Sequence, residues 1–209
     1  MGKTNYNSCM RCVCVGGGDF ASQKFQTRQD DLVIGVDKGY EYIRDQRVDM
    51  VVGDFDSLGY APAHPNIIKL DVRKDFTDMW VACESGREKG CSEFVLYGGL
   101  GGRLDHTLAN LQLAYHLAEE GCKVTFVDVA QTILVTNSDL ELVGKAGKTI
   151  SIFAKDQATI TLTGFDYPAQ NFTLKDNFPM GVSNVATAEI AKIQVHSGTI
   201  VVVVNDFVD

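Results

Sequence analysis

DLVIGVDKGYEYIRDQRVDMVVGDFDSLG, residues 31–59, holds two short runs of aliphatic residues that each close on an aspartate, with a polar stretch between them. Runs of that length and β-branched content suit strands, and the interval suits the crossover that two parallel neighbours require. The same unit recurs on both sides: MRCVCVG from Met10, IIKLD from Ile67, EFVLYGG from Glu93 and KVTFVD from Lys123 read as further strands. Helical stretches fill the gaps. One runs from about Phe76 to Lys89 and stops at Gly90; another runs from Leu104 to Glu120, with Leu104, Leu108, Leu111 and Tyr115 at helical spacing. The alternation predicts an α/β fold whose N-terminal domain, residues 1–130, is a mostly parallel sandwich with helices on both faces of the sheet.

After residue 130 the pattern changes. ILVTNSDLELVGKAGKTISIFAK, ATITLTGF, KIQVHSG and TIVVVVND are β-rich runs punctuated by Gly, Asn, Asp and Pro, with no helical periodicity. Residues 131–209 are therefore expected to form a smaller all-β domain, an antiparallel sandwich or roll. No glycine-serine linker separates the two parts, and there is no repeat or low-complexity tract.

With 209 residues and 45% apolar content the chain can bury a substantial core. Its 19 Lys and Arg against 27 Asp and Glu give a net charge of -8, and no basic block is present to neutralise a phosphate backbone, so nucleic acid is not an expected partner. The longest apolar runs, such as Thr199 to Val204, are strand-sized, and MGKTNYNSC lacks the apolar segment of a signal peptide; no membrane partner and a cytoplasmic location are expected. Cys9, Cys12 and Cys14 lie close together, but no second pair matches them, and Cys83, Cys91 and Cys122 are scattered. Reduced thiols in buried strands are the expectation.

In open parallel sheets ligands bind beyond the carboxyl ends of the strands. There the chain places Gly16, Gly17, Gly18 and Asp19; Asp37, Lys38 and Gly39; Asp54, Phe55, Asp56 and Ser57; RKDFTD at 73–78; and GGLGGRLDH at 98–106. Asp54 and Asp56 share a face if their strand continues to Phe55, and two carboxylates so close are comfortable when a cation bridges them. A plain turn is the alternative. Asp75 and Asp105 could each cap the helix that follows, and the glycines could simply turn the chain. Independent caps and turns give no reason, however, for acids to concentrate on one rim. Glycine-rich turns entering helices bind anionic oxygens, Arg103 offers a planar fork for phosphate, Lys74 offers a point charge, and a divalent metal reconciles aspartates with polyphosphate. The set asks for a metal–nucleotide complex. His106, in a first helical turn, reads as a local hydrogen-bonding group, His64, His116 and His196 carry no pattern, and Trp80 reads as core or interface packing.

GDFDS at 53–57, KDFTD at 74–78, GGRLDH at 101–106 and VDKG at 36–39, followed by GFDYP at 164–168 and GVSN at 181–184, resemble the thiamine pyrophosphokinase family in content and in order over nearly the whole chain. The resemblance implies an α/β domain that binds MgATP, a β domain that helps hold thiamine, and a homodimer with active sites at the interface. It implies transfer of an intact diphosphoryl group from ATP to the hydroxyl of thiamine, giving thiamine diphosphate and AMP. By position it implies Asp54, Asp56, Asp75 and Asp78 as Mg2+ ligands, and Asp54, Asp56, Asp78, Arg103 and Asp105 as catalytic groups. Gly17, Asp37, Lys74, Gly101, Gly102 and Arg103 fall to the nucleotide; Asp78, Ser183 and Asn184 fall to thiamine, the last two through its aminopyrimidine. The proton acceptor is Asp78 or Asp105, and Tyr167, Phe172 and Phe178 are the candidate rings to stack on the pyrimidine. VDKG stands where the family often has DGG, and Val185 stands where an acid is common.

Two rivals share part of this pattern. A phosphatase of the haloacid dehalogenase type also carries a DxD after a strand, but Leu58 does not suit it and KDFTD and GGRLDH would be left unexplained. A non-catalytic nucleotide sensor would bind ATP without forming AMP.

Overall fold

The computed structural model describes residues 10–71, 73 and 75–206, so Cys9 and Lys74 lie outside the described residues. The chain divides into two compact units, residues 1–111 and 112–209.

In the first unit, β1 (Met10–Val15), β2 (Leu32–Val36), β3 (Met50–Gly53), β4 (Ile67–Lys69) and β5 (Cys91–Tyr97) form an all-parallel array in the order β5-β1-β2-β3-β4. The chain moves outward from β1 to β4 and then returns to the other side of β1. The order thus reverses between β1 and β5, which is where such sheets open a crevice at their carboxyl ends. Continuous apolar runs suit strands covered on both faces, and Val13, Val33, Ile34, Val51, Phe94 and Leu96 are buried.

Besides the four-residue α1 (Tyr40–Ile43), two helices matter for the site. The helix α2 (Asp78–Glu88) buries Met79, Ala82, Cys83 and Gly86, one stripe at three- and four-residue spacing. A Cβ on Gly86 would stand 2.8 Å from Cys12 Sγ, so a glycine there lets α2 lie close on β1. Its cap is Thr77, whose side chain accepts from the Trp80 N–H at 3.1 Å; the capping reading of Asp75 is therefore corrected. The helix α3 (Leu104–Glu119) buries Leu113, Ala114, Leu117 and Ala118, whereas Leu104 and Leu108 are 70% and 53% exposed. Its regular leucine spacing marks a neighbouring stripe, and small alanines serve the buried one.

At the amino ends of these strands, Arg11 Nη2 lies 2.6 Å from Asp31 Oδ2 and Arg11 Nε donates to Asp31 Oδ1 at 2.9 Å. The Arg28 N–H donates to the same buried carboxylate at 2.6 Å. Arg47 ties down this end by donating to the Gln29 carbonyl at 2.7 Å, to the Asp31 carbonyl, and to Asp49 Oδ2 at 2.9 Å. The five described cysteines are buried free thiols, with Cys12 and Cys14 Sγ 3.6 Å apart.

In the second unit β6 (Lys123–Val127) pairs antiparallel with β7 (Gln131–Thr136), followed by β12 (Ile190–Asn205), β9 (Thr149–Thr163) and β10 (Ala169–Lys175). Two short strands, β8 (Leu140–Val143) and β11 (Asn184–Val185), pair with β12 and β9. The register of β12 against β9 shifts on both sides of Ser197, beside Gly198 at φ 83°. Such irregularities bend a long strand, and here the first part of β12 pairs with β8 and the last part with β7. Ile150, Ile152, Ile160, Ile193, Ile200 and Val202 fill the core beneath. Among the described residues of this unit, no helix follows α3.

Candidate active site

Val36 of β2 lies opposite Val52 of β3, so the loops that leave these strands start side by side. β3 ends at Gly53 instead of continuing to Phe55. Phe55 takes a left-handed conformation (φ 63°) and buries its ring, and the Asp56 N–H donates to Asp54 Oδ1 at 3.2 Å. A tight turn, not strand pleating, therefore brings the two aspartates together. Asp37, itself left-handed at φ 47°, comes from the neighbouring loop, and Ser57 Oγ donates to its Oδ2. One carboxylate oxygen from each of Asp37, Asp54 and Asp56 lies within 4.8 Å of the other two. Like charges at that spacing repel one another. Asp37 Oδ1 is buried and accepts no hydrogen bond among the described residues. An all-oxygen donor set with one buried, unsatisfied oxygen suits a hard divalent cation.

Asp75 and Asp78 line the same cleft without joining that three-carboxylate set. The cleft, of about 750 Å³, is also lined by Gly16, Gly17, Gly18, Lys38 and residues 98–103. Its glycines have two different duties. The Gly16 N–H donates to the Tyr97 carbonyl at 2.8 Å, the Gly18 N–H to Gly98 at 2.9 Å, and the Asp19 N–H to Leu100 at 3.2 Å. A Cβ on Gly16 would stand 2.8 Å from the Gly98 carbonyl oxygen, and Gly98 has φ 57°, so these positions lock the β1 loop onto the β5 loop. Gly101 packs against the Asp19 carboxylate, while nothing crowds Gly102. That leaves Gly102, next to the N-terminus of α3, as the open part of the turn.

Arg103 forks onto Asp105, with Nε to Oδ1 at 3.1 Å and Nη2 to Oδ2 at 2.5 Å, and the His106 N–H donates to the same carboxylate at 3.0 Å. The Arg103 hydrogen bonds hold the Asp105 pKa down at about 2. Asp105 thus acts as the partner of an exposed guanidinium, not as a helix cap reaching the N–H groups deeper in the turn.

Ser183 and Asn184 lie in the second unit. Ser183 is exposed and left-handed (φ 58°). Asn184 is buried and braces the backbone of Tyr167: its Oδ1 accepts from the Tyr167 N–H at 3.1 Å and its Nδ2 donates to the Tyr167 carbonyl at 2.9 Å. That clamp holds out the Tyr167 ring, which is 73% exposed. Phe172 packs against the core of this unit, and Phe178 is exposed.

Sequence reasoning missed Asn110, a buried residue of α3 whose Nδ2 donates to the Gly99 carbonyl at 2.7 Å and so fixes the glycine turn. Its only signal was a polar residue among alanines and leucines. Phe76 also lines the cleft, where its motif position alone carried no assignment.

A parallel sheet with clustered carboxylates, glycine turns and an arginine at its topological switch point belongs to the phosphotransfer class of α/β enzymes. Residues 24–126 match the family model described as thiamin pyrophosphokinase, catalytic domain, and residues 131–200 match thiamin pyrophosphokinase, vitamin B1 binding domain. The chain is 31% identical over 170 residues to a thiamine pyrophosphokinase of Bacillus subtilis (strain 168), covering 76% of this chain and 79% of that one. A crystal structure of thiamine pyrophosphokinase from Bacillus subtilis superposes with a TM-score of 0.83 at 25% identity, over 95% of this chain and all (100%) of the other. The thiamin pyrophosphokinase of Geobacillus thermodenitrificans shares the fold, with a TM-score of 0.80 at 24% identity over 95% and 97% of the two chains. The chain belongs to the thiamin pyrophosphokinase family, enzymes that transfer a diphosphoryl group from ATP to thiamine.

Proposed function

We propose that this chain forms thiamine diphosphate and AMP by using Asp37, Asp54 and Asp56 to hold Mg2+ against the ATP polyphosphate, in a cytoplasmic homodimer with active sites at the subunit interface. The observation that carries the reading is the meeting of these three carboxylates, with one buried Asp37 oxygen unsatisfied among the described residues, in the cleft that the glycine turns also line. Bound Mg2+ would neutralise charge on the polyphosphate. The residues do the rest: Gly102 leaves room for phosphate oxygens, Gly17 lets the Lys38 side chain close against the β1 loop, Gly101 shapes the turn, and Lys38, Lys74 and Arg103 supply cations. Arg103 must exchange Asp105 for phosphate. Asp75 and Asp78 flank the incoming thiamine. Its hydroxyl oxygen bonds to the β-phosphorus, the bond from that phosphorus to the α,β-bridging oxygen breaks, AMP leaves with that oxygen, and the hydroxyl proton passes to a carboxylate.

Asp78 is the proposed acceptor. Asp105 does not line the cleft, as Asp78 does, and serves instead to poise the Arg103 guanidinium. In the free enzyme the Arg103 fork keeps Asp105 ionised down to about pH 2, so an acidic limb above pH 4 in kcat/KM for ATP, which reports the free enzyme, belongs to another group, and Asp105→Asn should leave its midpoint unmoved.

Residues 1–130 are proposed to form the nucleotide-binding catalytic domain and 131–209 the thiamine-binding domain. Ser183 and the exposed Tyr167 ring are assigned to the aminopyrimidine, with Asn184 acting through the Tyr167 backbone. Asn184→Ala should raise the KM for thiamine about tenfold, because it removes two hydrogen bonds that hold the ring in place. An unchanged thiamine saturation curve would overturn that role. Exposed Tyr167, Phe178, Met180 and Val182 support an interface on this unit, and light scattering should give twice the chain mass.

The test of the activity is incubation with ATP, Mg2+ and thiamine, with AMP and thiamine diphosphate expected in equal amounts. Phosphate release from simple esters without ATP would point to a phosphatase, and ATP binding without AMP would point to a sensor.

A further inference from the structure

We propose that Phe76, backed by Trp80, is the aromatic seat for the thiazolium ring of thiamine, with Asp75 and Asp78 balancing that ring's permanent positive charge. The proposal rests on the function proposed above. The Phe76 and Trp80 rings stack with centroids 5.6 Å apart and an interplanar angle of 22°. Phe76 is nonetheless 56% exposed, beside a half-buried tryptophan, and it lines the cleft that holds the acidic triad. The chain places it between the two carboxylates: Asp75 precedes it, and Asp78 opens the helix that carries Trp80.

Three aromatic rings must be placed in this reaction: adenine, pyrimidine and thiazolium. Of the three, thiazolium is the cation, and a cation is drawn both to an aromatic face and to flanking carboxylates. It is also the ring that must sit near the reacting phosphorus, since its hydroxyl hangs on a two-carbon arm, whereas ribose and the α-phosphate separate adenine from that point. A phenylalanine between two aspartates, in the cleft that gathers the metal ligands, meets both demands. For adenine, which is neutral, flanking carboxylates offer no comparable charge match.

Trp80 is the single tryptophan of the chain, so its fluorescence reports on this place alone. Titrating the full-length protein with thiamine should quench that emission, with saturation at the thiamine concentration that governs turnover, whereas MgATP alone should leave it nearly unchanged. Phe76→Leu should raise the KM for thiamine about tenfold with a much smaller change in kcat and in the KM for MgATP; Phe76→Tyr, which retains the ring, should restore the wild-type KM. Thiamine turnover without any change in Trp80 emission, or with a thiamine KM that Phe76→Leu does not move, would overturn the assignment while leaving the proposed function intact. A rise confined to the KM for MgATP would give the shelf to adenine and overturn it as well. A changed oligomeric state with unchanged KM values would make the pair a subunit contact and have the same result. Absence of AMP in the wild-type protein would instead remove the reaction on which the inference rests.

Discussion

Asp54→Asn is expected to lower diphosphoryl transfer by roughly 10³-fold or more, the counterpart of about 4 kcal/mol of transition-state stabilisation. The substitution keeps the oxygen that accepts the Asp56 N–H, so the turn around Phe55 should survive. It removes one of three negative charges whose oxygens lie within 4.8 Å, so the metal-free protein should be as stable as the parent or more so. Asp56→Asn should behave alike. The two measurements are AMP formation at saturating ATP and thiamine and the midpoint of chemical denaturation in chelator. Loss of activity with an unchanged or raised midpoint is the expected pair; full activity in both variants would remove the acidic triad from the chemistry. An equal loss of stability and activity would mean the carboxylates hold the fold.

Arg11→Met should lower stability by about 3 to 5 kcal/mol, since it strands a buried carboxylate without its guanidinium. Burial alone would raise the Asp31 pKa; the hydrogen bonds from Arg11 and Arg28 more than offset this, and the carboxyl sits below its ordinary value. In the parent, this depressed pKa contributes stability that is present above the unfolded carboxylate pKa of about 4 and is lost as pH falls through the folded value. In the variant the Arg11 contribution is gone while the Arg28 N–H bond remains, so the Asp31 pKa moves up from its value in the parent. The cost of the substitution is then fully present at neutral pH and is lost as pH falls through the pKa of the variant towards that of the parent. The gap between parent and variant, followed by circular dichroism in denaturant, should therefore shrink on acidification from pH 7. A gap that is constant with pH would mean that lost packing of the arginine stem, not the stranded charge, sets the effect.

The parallel unit was legible because a strand covered on both faces leaves an unmistakable aliphatic run, and because the chain repeats that run before each polar loop. The antiparallel unit was legible for a related reason, its close spacing of turn residues. The geometry inside the loops was not. Pleating accounts for i, i+2 neighbours only while a strand continues, and nothing local announces that Phe55 will turn left-handed and end it at Gly53. Asp37 came into the triad through the pairing of β2 with β3, a long-range register that a linear motif does not carry. The clamp of Asn184 on a backbone seventeen residues away was not legible either, because exposed and buried amides are the same letter. The leucine spacing in α3 was periodic, yet Leu104 and Leu108 are exposed while the small Ala114 and Ala118 are buried beside Leu113 and Leu117, a choice that side-chain size does not announce in the sequence.

The ion pair of Arg11 with Asp31 sits where the parallel strands begin, while the acidic triad sits where they finish. Inherited damage at the two ends should therefore look different in a cell. A lesion at the beginning reduces how much enzyme accumulates, because proteases remove more of the unfolded chain, yet each surviving molecule works at the normal pace. A lesion at the finish leaves normal amounts of a sluggish enzyme, so raising expression should rescue the first and scarcely help the second.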